Sequence, residues 1–283
     1  MYACNTVRVC STPYIQQKNI LIKLKQFNIA YTIDDNDVQL EMLRMSIDTL
    51  LKFNKVDNVF IMYFDVDENK IRQKLFGLEV NIEYFNFDIS LVDKYFPRLK
   101  NAYNKRLRYP SLARWWITKI IPYDYFWYID TDILFNANIR DEFLKYQEGK
   151  LFFGFNRKLY NVIRDITAEN FIEGIYLNLE ELNAGILFIN AKQFNDMNLF
   201  DIILKYYKEN AKYIRFVNQT GYNYLFNKFK DKCTIKIEND INIKPFINYP
   251  EVFERQIKNT KIFHCNGKNK RNFIPTYNII MCE

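Results

Sequence analysis

Leu40, Leu43, Ile47, Leu50 and Leu51 recur at i, i+3, i+7, i+10 and i+11. This is the apolar stripe of an amphipathic helix, and Asp37 ahead of it is placed to act as N-cap. Before the stripe, residues 29–33 form a short β-rich run that stops at the polar cluster 34–37. After it, residues 58–64 are continuously apolar and residues 80–85 suit a further strand. The β-α-β-β order predicts a mainly parallel sheet flanked by helices. Further on, Pro110 and Ser111 are expected to open a helix that carries Leu112, Trp115, Trp116 and Ile120 and stops at Pro122. Residues 125–129 read as a buried strand running into Asp130-Thr131-Asp132. Residues 151–155 and 185–190 read as strands, the latter behind Asn183-Ala184. Helices are expected around 199–209 and 221–229, and the last 50 residues, with Pro245, Pro250 and Pro275, read as irregular. Residues 1–28 show no clean period and read as an appendage. The remainder, 29–283, reads as one α/β domain.

Composition narrows the chemistry. The 283 residues include 7 glycines and 1 histidine, and the glycine share is about a third of the average. The glycines lie far apart, so neither G-x-G-x-x-G nor the G-x-x-x-x-G-K-[ST] phosphate loop is present. One histidine excludes three-His zinc sites and H-E-x-x-H. The five cysteines are odd in number and contain no C-x-x-C pair, which suits a reducing compartment. The N-terminal residues lack the apolar core of a signal peptide, and no run reaches the ~18 apolar residues of a membrane span. A cytoplasmic protein is therefore expected. The net charge of +7 suits phosphate-bearing partners. A nucleic-acid binder acting through the basic segment 98–108 is a rival class, marked by steep salt dependence.

Strand alternation predicts that Asp130 and Asp132 point to one face at the end of a buried strand. Two carboxylates there make a hard-oxygen site for Mn²⁺ or Mg²⁺ and for a phosphate-bearing ligand. Asp65-Val66-Asp67 is a second copy of the same pattern. It runs into Glu68-Asn69-Lys70, a surface turn, whereas Asp130 is flanked by apolar residues on both sides. Haloacid-dehalogenase-type phosphohydrolases also carry an Asp-x-Asp, with the first Asp as nucleophile. There the motif opens the domain, and a later acidic site follows that is absent here. His264 stands beside Gly267, Lys268 and Lys270, a combination suited to a metal-bound diphosphate.

These segments, in this order, resemble family 8 glycosyltransferases, retaining enzymes of the GT-A (Rossmann-like) fold. The residues that carry the resemblance are 30–36, Ser111-Leu112-Ala113-Arg114, 128–134, 183–190, Asn218-Gln219 with Tyr222-Asn223, and His264-x-x-Gly267-x-x-Lys270. The resemblance implies a metal-dependent hexosyltransferase that moves glucose or galactose from a UDP-sugar to a glycan or protein acceptor. It implies that Asp130, Asp132 and His264 hold Mn²⁺ or Mg²⁺ and that Gly267 and Lys270 contact the diphosphate. Ala30, Thr32, Asp34 and Asn36 would line the uridine pocket. Arg114, Asn183, Asn218 and Gln219 would stand near the transferred sugar, with Thr131, Ala184 and Gly185 in the same donor-binding set. Gln219 occupies the position suspected of nucleophilic attack in this family. An amide is a poor nucleophile, which favours front-face substitution. Asn218 departs from the family's acid, residues 156–158 lack an expected acid, and Arg271-Asn272 replaces the usual Pro-Trp. Two alternatives stay open: a self-glycosylating glycogenin-like protein, and a degenerate domain that binds nucleotide-sugar without turnover. A homodimer is an arrangement open to either.

Overall fold

The central strands form where the chain is apolar without interruption. β1 (Asn28–Ile33), β2 (Asn58–Tyr63) and β4 (Tyr125–Ile129) are buried almost throughout, as strands covered on both faces must be. The computed structural model describes residues 26–97, 105–147, 149–156, 182–211, 217–237, 240–241, 244–245 and 247–282, and of 105–108, 156, 217, 235–237 and 267–269 the backbone alone. The other strands among them are β3 (Asn81–Asn86), β5 (Ile133–Phe135), β6 (Phe152–Asn156), β7 (Leu182–Asn190), β8 (Cys233–Ile237) and β9 (Ile262–His264). Seven make one sheet, in the order β3-β2-β1-β4-β7-β6-β8, and β5 pairs with β9 in a small second sheet. In the large sheet only β7 runs against its neighbours, so the sheet is mainly parallel, as expected.

Alternation along the strands sorts the core into two layers. Ala30, Phe60, Met62, Phe126 and Tyr128 enter one, with Trp115, Trp116 and Tyr207. Ile29, Tyr31, Ile33, Val59, Ile61 and Trp127 enter the other, beneath the Leu40, Leu43, Ile47 and Leu50 stripe of the helix Asp37–Phe53. No helix among the described residues is long and apolar enough to cross a membrane.

Several local expectations need correction. The cap of the first helix is Asn36, whose side chain accepts from the Val38 amide, and Asp37 is the first helical residue. A helix, Glu68–Lys74, lies between β2 and β3, making the unit β-α-β-α-β. Pro110 does not open its helix but lies inside Lys105–Ala113, which tightens into a 3₁₀ turn at Arg114–Trp116. The backbone bond lost at Pro110 is offset by burial of Leu112, Trp115 and Trp116 behind it. Asn183 and Ala184 lie within β7 rather than before it. The C-terminal residues include helices Pro250–Asn259 and Phe273–Cys282 around β9, with Pro250 in the first turn where its missing N–H costs nothing. The expected appendage, 1–28, overlaps the fold at its end: Phe27 is fully buried and its amide bonds Asp57. The rest of the appendage up to residue 25, the basic residues 98–104 and the stretch 157–158 lie outside the described residues.

β1 leads through β2 to β3 on one side, while β4 lies on its other side. The strand order therefore reverses between β1 and β4, the point where a crevice opens at the carboxyl ends of an α/β sheet.

Candidate active site

Asp130 follows β4 but is not in a strand. The Ile133 amide bonds the Asp130 carbonyl at 3.3 Å, closing a turn over Thr131-Asp132, so alternation is not what brings the two acids together. The turn does so, and β9 completes it. Ile133 pairs with His264, and the Cys265 amide donates to the Asp132 carbonyl at 2.9 Å. One oxygen or nitrogen from each of Asp130, Asp132 and His264 then lies within 4.8 Å of the others. The rival pair has a different job. Asp65 sits at φ 56°, and Asp67 caps the helix Glu68–Lys74 by accepting from the Asn69 amide at 3.0 Å.

The cluster lies in a cleft of about 680 Å³. Thr32, Asn36, Arg114, Asp130, Thr131, Asp132, Asn183, Ala184, Gly185, Asn218, Gln219, His264 and Lys270 all line it. Asp34 lines an adjoining depression that shares Asn36 and Val38 with it. Gly267 begins the 3₁₀ turn Gly267–Asn272 that carries Lys270. Ala30 differs from the other site residues: it is fully buried in the sheet and is not among the residues lining the cleft.

Each wall is held by identifiable bonds. Arg114, 6% exposed, gives Nη1 to the Ala184 carbonyl at 3.2 Å and Nη2 to Asp130 Oδ1 at 3.1 Å. Asp130 is also tied to β7 through its amide, which donates to the Gly185 carbonyl at 2.9 Å. Asn223 accepts from the Leu182 amide at 2.8 Å and donates to the Gln219 carbonyl at 2.9 Å. It thereby docks the helix Val217–Lys228 on β7, which sets Asn218 and Gln219 in the first helical turn on the wall beside Asn183.

Electrostatics tie the three metal-ligand candidates and Lys270 into one charged cluster. Burial alone would raise the Asp132 pKa, but His264 Nε2 at 3.2 Å and Lys270 Nζ at 3.5 Å reverse that and hold it down at about 2. Its Oδ1 is buried and meets no hydrogen-bond geometry, although His264 Nε2 lies 3.2 Å from it. An ionised oxygen in that state is costly unless a cation meets it. Gly185 supplies the room. A Cβ there would come within 2.6 Å of His264 Cε1 and 2.8 Å of Asp130 Oδ2, so a side chain would fill the space between the two ligands. Two carboxylates and one imidazole form a donor set that Mn²⁺ accepts, and the residues present fit such an ion.

The sequence matches no family model and no curated protein, but solved structures share its architecture. It superposes on the galactosyltransferase LgtC, solved with donor and acceptor sugar analogues, with a TM-score of 0.66 at 15% identity, covering 89% of this chain and 96% of that one. For mouse xyloside xylosyltransferase 1 the values are 0.60 and 14%, covering 87% and 99%. For the glycosyltransferase GlyE of Streptococcus pneumoniae they are 0.59 and 13%, covering 91% and 62%. The chain has the GT-A fold. The haloacid-dehalogenase alternative finds no counterpart in it. Within the GT-A frame, the cleft also holds Gln39, Met42, Pro110, Ser111, Tyr128 and Asn266, none of which was singled out as a site residue. Tyr128 was within reach of sequence reasoning, because it lies two residues before Asp130 and so shares the face from which the turn departs. Its phenol is 2% exposed, donates to Asp130 Oδ1 at 3.0 Å and lies 2.8 Å from Thr32 Oγ1. Burial pushes its pKa well above the ordinary value, so it remains a donor at neutral pH.

Proposed function

We propose that this chain is a metal-dependent, retaining glycosyltransferase that transfers a hexose, glucose or galactose, from a UDP-sugar to a glycan or protein acceptor. The observation that carries the reading is the convergence of Asp130, Asp132 and His264, with Lys270 beside them, at the carboxyl-end crevice between β1 and β4. The chemistry of that set suits a nucleoside diphosphate leaving group, which develops negative charge as the sugar departs.

Asp130, Asp132 and His264 would hold Mn²⁺ or Mg²⁺. The ion, when bound, supplies Lewis-acid stabilisation of the leaving diphosphate. Lys270, half exposed at the cleft, adds a mobile positive charge for the same oxygens. Asn36, at the mouth of β1, faces the nucleoside side of the cleft. Arg114, Asn183, Asn218 and Gln219 form the wall against which the sugar is oriented. Gln219 has no basic lone pair to form a glycosyl intermediate, so its part is to orient. Retention then follows from attack on the face from which the diphosphate leaves.

The test is turnover of UDP-glucose and UDP-galactose with Mn²⁺, read as UDP release and as product anomer by NMR. Intact mass of the protein in the same reaction detects self-glycosylation. Donor-dependent product with retained configuration is the expected result. Tight UDP binding without turnover across a panel of acceptors and donors would instead identify a nucleotide-sugar-binding domain.

A further inference from the structure

Asp130 Oδ1 receives two donors, the Tyr128 hydroxyl at 3.0 Å and Arg114 Nη2 at 3.1 Å. Its other oxygen, Oδ2, is the one that overlooks the space above Gly185, 2.8 Å from where a Cβ would stand. The carboxylate is thus turned so that one oxygen serves the protein and the other serves the cleft. Tyr128 OH also contacts Thr32 Oγ1 at 2.8 Å. A phenol has one proton, and a carboxylate only accepts. The Tyr128 proton is committed to Asp130, so the proton between Tyr128 and Thr32 comes from Thr32. The order Thr32 → Tyr128 → Asp130 has one direction.

The fold fixes each member. β1 and β4 run parallel with Ala30 opposite Tyr128, which sets Thr32, two residues on, beside the end of β4 on the same face. The Arg114 guanidinium lies 4.2 Å from the centroid of the Tyr128 ring and clamps it. Thr32 is 5% and Tyr128 2% exposed, so both residues are largely shielded where they meet the cleft. We infer that Thr32 and Tyr128 form a directed hydrogen-bond relay that positions Asp130, presenting its Oδ2 to the divalent ion. Both are positioning residues, and Thr32 acts through Tyr128 rather than chiefly on the nucleoside. The inference rests on the metal-dependent reading above, because the ion is what Oδ2 serves.

The experiment is Mn²⁺ titration of the full chain, followed by the electron paramagnetic resonance signal of free Mn²⁺, with and without UDP. The proteins are wild type, Tyr128→Phe, Thr32→Val, Thr32→Ser and the Tyr128→Phe/Thr32→Val double variant. Loss of a residue that orients a metal ligand costs about 10–100-fold in affinity, and Tyr128→Phe is expected to weaken Mn²⁺ within that range. Thr32→Val should weaken it by a smaller factor, while Thr32→Ser, which keeps the donor, should bind as wild type does. The double variant should be no weaker than Tyr128→Phe alone, the non-additivity of two members of one chain. Thermal unfolding without metal reports whether each variant folds. If the Phe variant does not, the Val–Ser contrast at position 32 carries the test. Unchanged Mn²⁺ affinity in Tyr128→Phe, or in Thr32→Val, overturns the relay. So does an equal loss from Thr32→Val in both backgrounds, which would make Thr32 a direct ligand contact. A wild-type protein that binds no Mn²⁺ even with UDP sinks the metal reading itself, and with it the purpose of the relay.

Discussion

A single methyl group on residue 185 would stand 2.6 Å from His264 Cε1, 2.8 Å from Asp130 Oδ2 and 3.0 Å from Asn183 Oδ1. These are not the free ends of long side chains. Asp130 is tied by Tyr128 and Arg114, His264 is 2% exposed, and Asn183 Oδ1 accepts from the Gly185 amide. Gly185→Ala is therefore expected to abolish metal-dependent UDP binding, measured by calorimetry, in a protein that still folds. Retention of wild-type affinity would show that the space above Gly185 is not where the ion sits. The two Asp-x-Asp copies make a sharper contrast. Asp132→Ala should remove metal-dependent UDP binding. Asp67→Ala should leave that binding intact and lower stability by about 1 kcal/mol through loss of a helix cap. Equal loss of binding from both would disqualify the chosen pair. Side chains whose type declares a chemistry, such as Asp130, Asp132, His264 and Lys270, were legible in the sequence. Tyr128 reads as core, as a tyrosine in an apolar run does, although its place two residues before Asp130 marks it, and it is both core and site. Ala30 shares the face of Thr32 but lies one pleat deeper, and its side chain packs in the core rather than lining the cleft.

At the scale of elements, the helix Val217–Lys228 is the most exacting fit. A Cβ on Gly221 would meet Tyr207 Oη at 2.5 Å and Trp115 Cζ2 at 2.7 Å, and the Trp115 ring itself packs against Tyr222, tilted by 34° with centroids 4.1 Å apart. Rigid rings leave the helix only the option of moving. Overpacking of this kind costs about 1–3 kcal/mol, against a gain of up to about 1 kcal/mol in helix propensity for Gly→Ala. Gly221→Ala should thus destabilise by a net of up to about 2 kcal/mol in urea unfolding. Because the same helix carries Asn218 and Gln219, turnover should fall further than stability does. A stabilised variant would mean that Tyr207 and Trp115 give way. β1, β2, β4, β6 and β7 were legible because burial leaves a continuous apolar run, whereas the three-residue β5 and β9 and the mixed run of β8 gave no such signal. The helix Glu68–Lys74 was missed because it buries Ile71 alone. The helix Pro250–Asn259 was missed because its apolar face is only Phe253 and Ile257, one i,i+4 pair among prolines that read as loop.

At the scale of the molecule, the site has no local existence. Asp132 and His264 are joined by the β5–β9 pair, Asp130 is bonded to β7 and to Arg114, and Lys270 arrives on the turn after β9. An unfolded chain scatters these groups and binds metal and diphosphate far more weakly than the native cleft, so ligand free energy becomes folding free energy. UDP with Mn²⁺ at ~100 times the dissociation constant should stabilise by about 2.7 kcal/mol, a rise in melting temperature on the order of 5–10 °C for a chain of this size. UDP alone and Mn²⁺ alone should each give a smaller shift: the diphosphate alone faces the like charges of Asp130 and Asp132, and the ion alone lacks the diphosphate oxygens that would complete its shell. EDTA should return the melting temperature to that of UDP alone, and Asp132→Ala should show no metal-dependent increment at all. A full shift with UDP that survives EDTA would place the diphosphate on Lys270 and Arg114 without an ion. The buried Asp132 Oδ1 would then have His264 Nε2, 3.2 Å away, as its partner in place of a metal.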